Sequence, residues 1–310
     1  MSAFAARAEL IEDGGAAAAD DQFFRSRPFL DAAGVTHTLR IESDGGELVA
    51  PLVVRAIEGT DERDAISPYG YPGLAGPIEE LDPAAIDFSA TGLVSAFVRH
   101  ALGPAPLAGA SERNVVQIAD PALPPKSRPS DRRQVRRNLE AGYVLELVPG
   151  AETTPDQRAG FLDVYEQTMR RTEAAPHYFF AAAYFDRILE ADRTWLALAT
   201  APDGSLAAAS IVAVSDGYLH YYLSGSADSH LREAPMKSIV TRLVEHSTEL
   251  GLPLNLGGGI APGDALEEFK RGFANRRQAW LTSELVCDPQ AYARLSRGRG
   301  AGDFFPPYRT

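Results

Sequence analysis

Two stretches of this chain are built to one plan, and that plan constrains the fold more than any single motif. Leu39 to Val54 reads LRIESDGGELVAPLVV, and Leu196 to Val212 reads LALATAPDGSLAAASIV. In each, a strand-like run meets an Asp-Gly pair and a second strand-like run follows. Asp-Gly is a favoured pair for tight hairpin turns, so Asp44-Gly45 and Asp203-Gly204 predict two β-hairpins. Their neighbours match as well. An apolar helical segment precedes each hairpin, FFRSRPFLDAAG and YFFAAAYFDRIL, and a Tyr-rich stretch follows, SPYGYPG from Ser67 and LHYYLSGS from Leu219. Asp-Gly hairpins are common, but the shared order of neighbours predicts an internal duplication.

The chain has 310 residues, which suits two domains, and 45% of them are hydrophobic, enough for one or two cores. Its formal net charge is -12, which disfavours nucleic-acid binding by the whole surface and leaves a local basic patch open. One cysteine, Cys287, excludes an internal disulfide and a cysteine metal cluster. The histidines are scattered without ligand spacing, so no metal is expected; no bound cofactor is expected either. Glu9, Glu12 and Asp13 fall where a signal peptide needs an apolar core, and no run approaches the ~20 apolar residues of a membrane span. The expectation is a soluble cytoplasmic protein.

Residues 1 to 22 look like a weakly specified lead. Between the two halves lies PALPPKSRPSDRRQVRRNLEAGY, Pro121 to Tyr143. A helix there is expected to start near Ser130, as its N-cap, and to stop at Gly142. Lys126, Arg132, Arg133, Arg136 and Arg137, with Arg128, form the one dense basic cluster. It is either a solvated helix face or a phosphate-binding patch, since guanidinium forks match phosphate oxygens. The expected division is 1–120, a basic linker helix at 121–145, and 146–310. In the second half, FLDVYEQTMRRTE predicts a helix burying Phe161, Val164, Tyr165 and Met169. PMKSIVTRLVEHSTELG predicts another, with Pro235 in its first turn, Gly251 as its stop and a stripe of Ile239, Val240, Leu243 and Val244. Pro253 to Leu256 and Gln278 to Val286 read as strands, and the tail beyond Gly298 as irregular.

The run LNLGGG, Leu254 to Gly259, leads soon into FKRGF, Phe269 to Phe273. Leu266, Phe269 and Phe273 fall at i, i+3 and i+7, one face of a helix, with Lys270 beside it. A cation held there suits a phosphate, a carboxylate or a developing oxyanion; as a plain amphipathic helix, its lysine snorkels to water. The glycines lack the lysine and hydroxyl of a nucleotide-binding loop and the spacing of a dinucleotide motif. His220 and Tyr222 share one face of a strand, with Tyr221 and Leu223 on the other. His220 is chemically suited to act as a general base. Tyr69 and Tyr71 flank Gly70 in a proline-bounded loop, placed either to stack on an acceptor or to close a domain interface. No G-x-S-x-G nucleophile elbow is present.

Taken together, SPYGYPG, RRQVRRNLEAGY, FLDVYEQTMRR, HYYLSGS, LNLGGG and FKRGF resemble, in order and rough spacing, the Fem-type peptidyltransferases. The matches spread over residues 67 to 280. The resemblance implies an α+β fold of two tandem GNAT-like domains, with mixed sheets flanked by helices. It implies an acyltransferase that makes an amide bond from an aminoacyl-tRNA donor to the amine of a peptidoglycan precursor or a small natural product. The family's catalytic Phe-Lys pair corresponds to Phe269 and Lys270; His220 completes the expected catalytic set. Tyr69, Tyr71, Tyr222, Ser224 and Gly258 are the expected substrate contacts. The long helical arm of some Fem enzymes has no counterpart in this sequence. Two alternatives stay open: an acyl-CoA-dependent N-acyltransferase, with SHLREAPMKS (Ser229 to Ser238) as its pyrophosphate site, and a non-catalytic ligand-binding protein.

Overall fold

The computed structural model describes residues 5–299 and 304–309. Its strands, in chain order, are β1 (Ala6–Ile11), β2 (His37–Ser43), β3 (Gly46–Ala56), β4 (Arg63–Ile66), β5 (Ile86–Asp87), β6 (Leu93–Arg99), β7 (Ser111–Ala119), β8 (Val144–Pro149), β9 (Thr194–Thr200), β10 (Leu206–Ser215), β11 (Tyr218–Ser226), β12 (Leu254–Gly257) and β13 (Arg276–Val286). The α-helices are α1 (Arg27–Ala32), α2 (Pro129–Glu140), α3 (Pro155–Arg171), α4 (Ala182–Ile188), α5 (Met236–Leu250), α6 (Ala265–Arg271) and α7 (Pro289–Leu295).

Internal contacts gather these elements into two compact units. Residues up to Asp20, Phe24–Arg113 and from Ala279 onward form the first; Asp21–Phe23 and Asn114–Gln278 form the second. This differs from the expected division at 120 and 145. The end of the chain sides with the first unit, and the basic helix α2 is part of the second.

Each unit repeats one topology. In the first, β1 to β4 form an antiparallel meander, β4 runs parallel to β6, and β13 pairs antiparallel with β6. In the second, β8 to β11 form the meander, β11 runs parallel to β12, and β7 pairs antiparallel with β12. The expected hairpins are β2–β3 and β9–β10, in equivalent second and third places. The units differ in their crossovers. In the second, a 3-10 segment and α5 carry the chain from β11 to β12. In the first, residues 67–92 hold only short 3-10 turns and the two-residue β5. SPYGYPG is therefore irregular, where its supposed counterpart LHYYLSGS is strand β11. Pro68 and Pro72 lack the N–H a ladder needs.

Local chemistry sets the helix ends. α3 opens on a capping box, Thr154 and Gln157 each bonding the other's backbone, with Pro155 in its first turn. α5 ends at Gly251 in the left-handed region, φ 66°. Its stripe of Ile239, Val240 and Leu243 is buried against Ala208, Val212, Leu219 and Leu254, with Val244 half-buried. Each such side chain contributes about 1.5–3 kcal/mol, so the stripe holds α5 to the sheet. α2 starts two residues earlier than expected, with Arg128 rather than Ser130 as its cap and Pro129 as its first residue. The supposed lead contains β1, paired along its length with β2; residues 1–4 lie outside the described chain. The short helix α7, capped by Asp288, follows the last strand, and of the tail only Arg299 and 304–309 are described beyond Gly298. No helix among the described residues is long and apolar enough to cross a membrane.

Candidate functional site

The glycine loop between β12 and α6 is tied down from every side. Asp264 caps α6: its Oδ1 accepts the Glu267 N–H at 2.7 Å, and its Oδ2 accepts those of Ile260 at 2.6 Å and Ala261 at 3.0 Å. Burial works to raise the Asp264 pKa, but these donors outweigh it and hold the carboxyl below its usual range. Glu267 accepts the Gly263 N–H, Asn255 accepts that of Gly257, and Asn114 donates to the Gly259 carbonyl. Gly258 and Gly259 are glycine because of close approach. A Cβ on the first would stand 2.5 Å from the Asn114 amide, and on the second 2.5 Å from the Asp264 carboxylate. With four loop amides committed and a carboxylate beside them, the turn is not a phosphate cradle. It leaves Ile260 86% exposed at its tip.

Lys270 lies beneath this loop. Its Nζ donates to the Gly258 carbonyl at 2.7 Å, and the side chain is buried. Burial, opposed by the charge of Asp264, brings its pKa from 10.5 down to about 8. Of the expected face, Phe269 and Phe273 pack into the core and Leu266 does not, while Glu267 and Lys270 also turn inward. Glu267 and Lys270 are its buried residues, Leu266 is 40% exposed, Phe269 is half-buried, and Phe273 lies past the helix end. The snorkelling alternative does not hold, since Lys270 points into the protein.

His220 is a core residue. It is 2% exposed; its Nε2 faces the Ser215 carbonyl at 3.2 Å, and its Nδ1 faces the Asn255 amide at 3.1 Å. Those partners fit the neutral ring with its proton on Nε2, and burial pulls its pKa down to about 4. The expected general base is thereby corrected, because both ring nitrogens are committed. The ring instead supports Asn255, whose Oδ1 holds the Gly257 N–H.

β11 carries a bulge. Ile211 pairs with Leu223 and Val212 with Tyr221, which leaves Tyr222 as the extra residue. The bulge shifts the expected alternation. Tyr221 now packs against the core that holds Ile239, Val240 and Leu243 of α5, whereas Gly225 lies against Val164 and Tyr165 of α3 and Leu223 shares its face. The Tyr222 hydroxyl meets that of Tyr184 at 2.7 Å, and its ring packs edge-on to Phe23. In the first unit, Tyr71 is wedged edge-on between Phe24 and Trp280, and Tyr69 is 39% exposed.

The basic residues split by face. Lys126, Arg132, Arg133, Arg136 and Arg137 are exposed. The opposite face of α2 docks through polar groups on the start of α5. Asp131 pairs with Lys237 at 2.8 Å, Gln134 and Asn138 donate to the Glu233 carbonyl, and Asn138 also reaches the Ser238 hydroxyl. The first amides of α5 already have acceptors: Lys237 bonds the Ala234 carbonyl, and Ser238 and Ile239 bond that of Pro235.

Asn114, Asn255, Asp264 and Asp131 were missed from the sequence. Asp264 carried a signal, the D-x-x-E pattern of a helix start; the other three make their contacts across distant parts of the chain and carried none.

Residues 125–271 match the acetyltransferase (GNAT) domain family. This segment is similar to a GNAT domain. The second unit's parallel pair, bulged β11 and crossover helix α5 fall within it. Solved structures extend the likeness in fold over most of the chain. FemX superposes with a TM-score of 0.59 at 11% identity, covering 83% of this chain and 89% of its own. The C-terminal domain of a protein named as a lysylphosphatidylglycerol synthetase, from Agrobacterium fabrum, gives 0.55 at 12% identity, covering 89% and 90%. L-PGS from Bacillus licheniformis gives 0.53 at 11%, covering 84% and 87%. At these identities the likeness is one of fold. The Fem-type resemblance read from the sequence motifs is thus present in the architecture, and the match to the acetyltransferase domain family supports the coarse class of acyltransferase. No curated protein matches the chain by sequence.

Proposed function

We propose that this chain forms amide bonds by moving an aminoacyl group from aminoacyl-tRNA to an amine, carried by a peptidoglycan precursor or a small natural product. The observation that carries the choice of donor is the closed start of α5. An acyl-CoA enzyme of this fold seats its pyrophosphate on helix-start amides. Here Asp131 sits on Lys237, and Asn138 and Gln134 cover the preceding carbonyl. A carboxylate already in place repels a pyrophosphate. The names of FemX and of the lysylphosphatidylglycerol synthetases also point to aminoacyl rather than acetyl chemistry.

An aminoacyl ester is already activated. The neutral amine attacks the carbonyl carbon, a C–N bond forms, the tetrahedral oxyanion collapses, and the ester oxygen leaves with the proton the amine gives up. The protein must position both partners and stabilise the oxyanion. In this proposal Lys270 supplies positive charge from beneath the glycine loop, and its pKa of about 8 leaves it mostly protonated at neutral pH. Phe269, Tyr222, Ser224, Tyr69 and Tyr71 remain proposed contacts. An acyl-CoA donor is the second reading, favoured by the match to an acetyltransferase-type domain. The deciding experiment incubates the protein with charged tRNA or with acyl-CoA, each with a panel of amines, and seeks new amides by mass spectrometry. Amides formed from acyl-CoA alone would overturn the aminoacyl reading.

A further inference from the structure

The exposed face of α2 does little structural work beyond one contact made by Arg132. Its arginines stand in two ridges, Arg132 with Arg136 and Arg133 with Arg137, each pair about 6 Å apart along the axis. Arg132 bonds the backbone and hydroxyl of Ser127. Among the described residues, Arg133, Arg136 and Arg137 make no ion pair, although the chain holds 42 acidic residues against 30 basic ones. The acid within the helix's first turn, Asp131, is turned inward to Lys237. The helix is also a fixed platform, pinned through Asp131, Gln134 and Asn138. A cation row held in place and left unpaired on an acidic chain is complementary to a ligand with several phosphates in succession.

We propose that this face docks the sugar-phosphate backbone of an RNA strand, independently of its base sequence. The choice of RNA rests on the aminoacyl-tRNA reading above; the polyphosphate complementarity rests on α2 alone. A small phosphate fits poorly, because the surface is a convex helix side. An anionic membrane fits poorly as well. An interfacial helix needs a broad apolar face to insert, and α2 offers only Val135, which is half-buried, and Leu139; its inward polar residues are Asp131, Gln134 and Asn138.

The test is fluorescence anisotropy with an uncharged, end-labelled RNA stem-loop, titrated between about 50 and 200 mM salt. The expected result is binding that weakens steeply with salt. The triple variant R133A/R136A/R137A should bind at least tenfold more weakly at low salt, with a log-log salt slope shallower by roughly two, near the 0.7–0.9 per lost phosphate contact. These exposed side chains leave thermal melting unchanged. Absence of RNA binding at low salt, equal affinity and slope in the variant, stronger binding to phosphatidylglycerol vesicles than to RNA, or displacement of the RNA by stoichiometric pyrophosphate would each overturn the proposal. The probe carries no acyl group, so a chain shown to transfer from acyl-CoA loses the donor reading while this measurement still decides the surface.

Discussion

Replacing Lys270 with Met should remove activity while leaving the fold intact or slightly more stable at neutral pH. Met keeps the length of the side chain and discards its charge. The buried ammonium has its pKa lowered from 10.5 to about 8, and every tenfold change in an acid constant corresponds to about 1.4 kcal/mol. Carrying the charge into the fold therefore costs about 3 kcal/mol. Against this stands the bond from Nζ to the Gly258 carbonyl at 2.7 Å; leaving that carbonyl without a partner costs about 1–3 kcal/mol. The variant is expected to lie between equal stability and a gain of about 2 kcal/mol. The pH dependence follows from the sign of the pKa change. Below pH 8 the lysine is charged in both the folded and unfolded states, and the penalty is constant. Between pH 8 and 10.5 the folded state has released the proton and the unfolded state has not, so wild-type stability rises with pH relative to the variant. Urea unfolding of both proteins at pH 7, 8, 9 and 10 isolates this difference, since all other titrating groups are shared. A stability difference that stays flat across that range would refute a buried, titrating Lys270. Turnover, once the donor is known, should fall by about two orders of magnitude in Lys270→Met and Lys270→Ala, the scale of losing one oxyanion donor. Lys270→Arg should rescue poorly, because a planar fork does not replace a point charge in a closed site.

His220→Gln should weaken the protein without abolishing chemistry. In wild type, the depressed pKa of about 4 means stability is lost as pH falls from 6.5 toward 4, a window the variant should narrow in acid unfolding curves; an activity profile that loses a group near 6.5 in the variant would restore His220 as a base. Gly225→Ala drives a Cβ into the Val164 carbonyl and to 2.5 Å from the Tyr165 backbone, so thermal melting should report a loss of about 1–3 kcal/mol or more; an unchanged midpoint would contradict the close packing of α3 on β11. Coenzyme A should leave the melting temperature unmoved, and a saturable rise would show that Asp131 does not close the start of α5.

Much of the fold was legible because its signals are local. Asp44-Gly45 and Asp203-Gly204 mark hairpins through turn geometry alone, Gly251 ends α5 by accepting a left-handed conformation, and the Ile239, Val240 and Leu243 spacing turns one helix face to the core whatever the core contains. The two hairpins and the shared order of their neighbours pointed to the duplication, and six short motifs in order carried the resemblance in fold. Tertiary structure decided what lay beyond a few residues. β13 completes the first unit and β7 the second, each lying beside a parallel pair in a way no turn signal encodes. One extra residue at Tyr222 reverses which side chains share a face, and a bulge leaves no periodic trace long enough to read. The largest reversals concern charge. Lys270 and Asp131 look like surface residues by type, and His220 looks like a base by its chemistry. A polar side chain's role depends on its partner, and those partners, Gly258, Lys237 and Asn255, arrive from other elements only when the chain has folded.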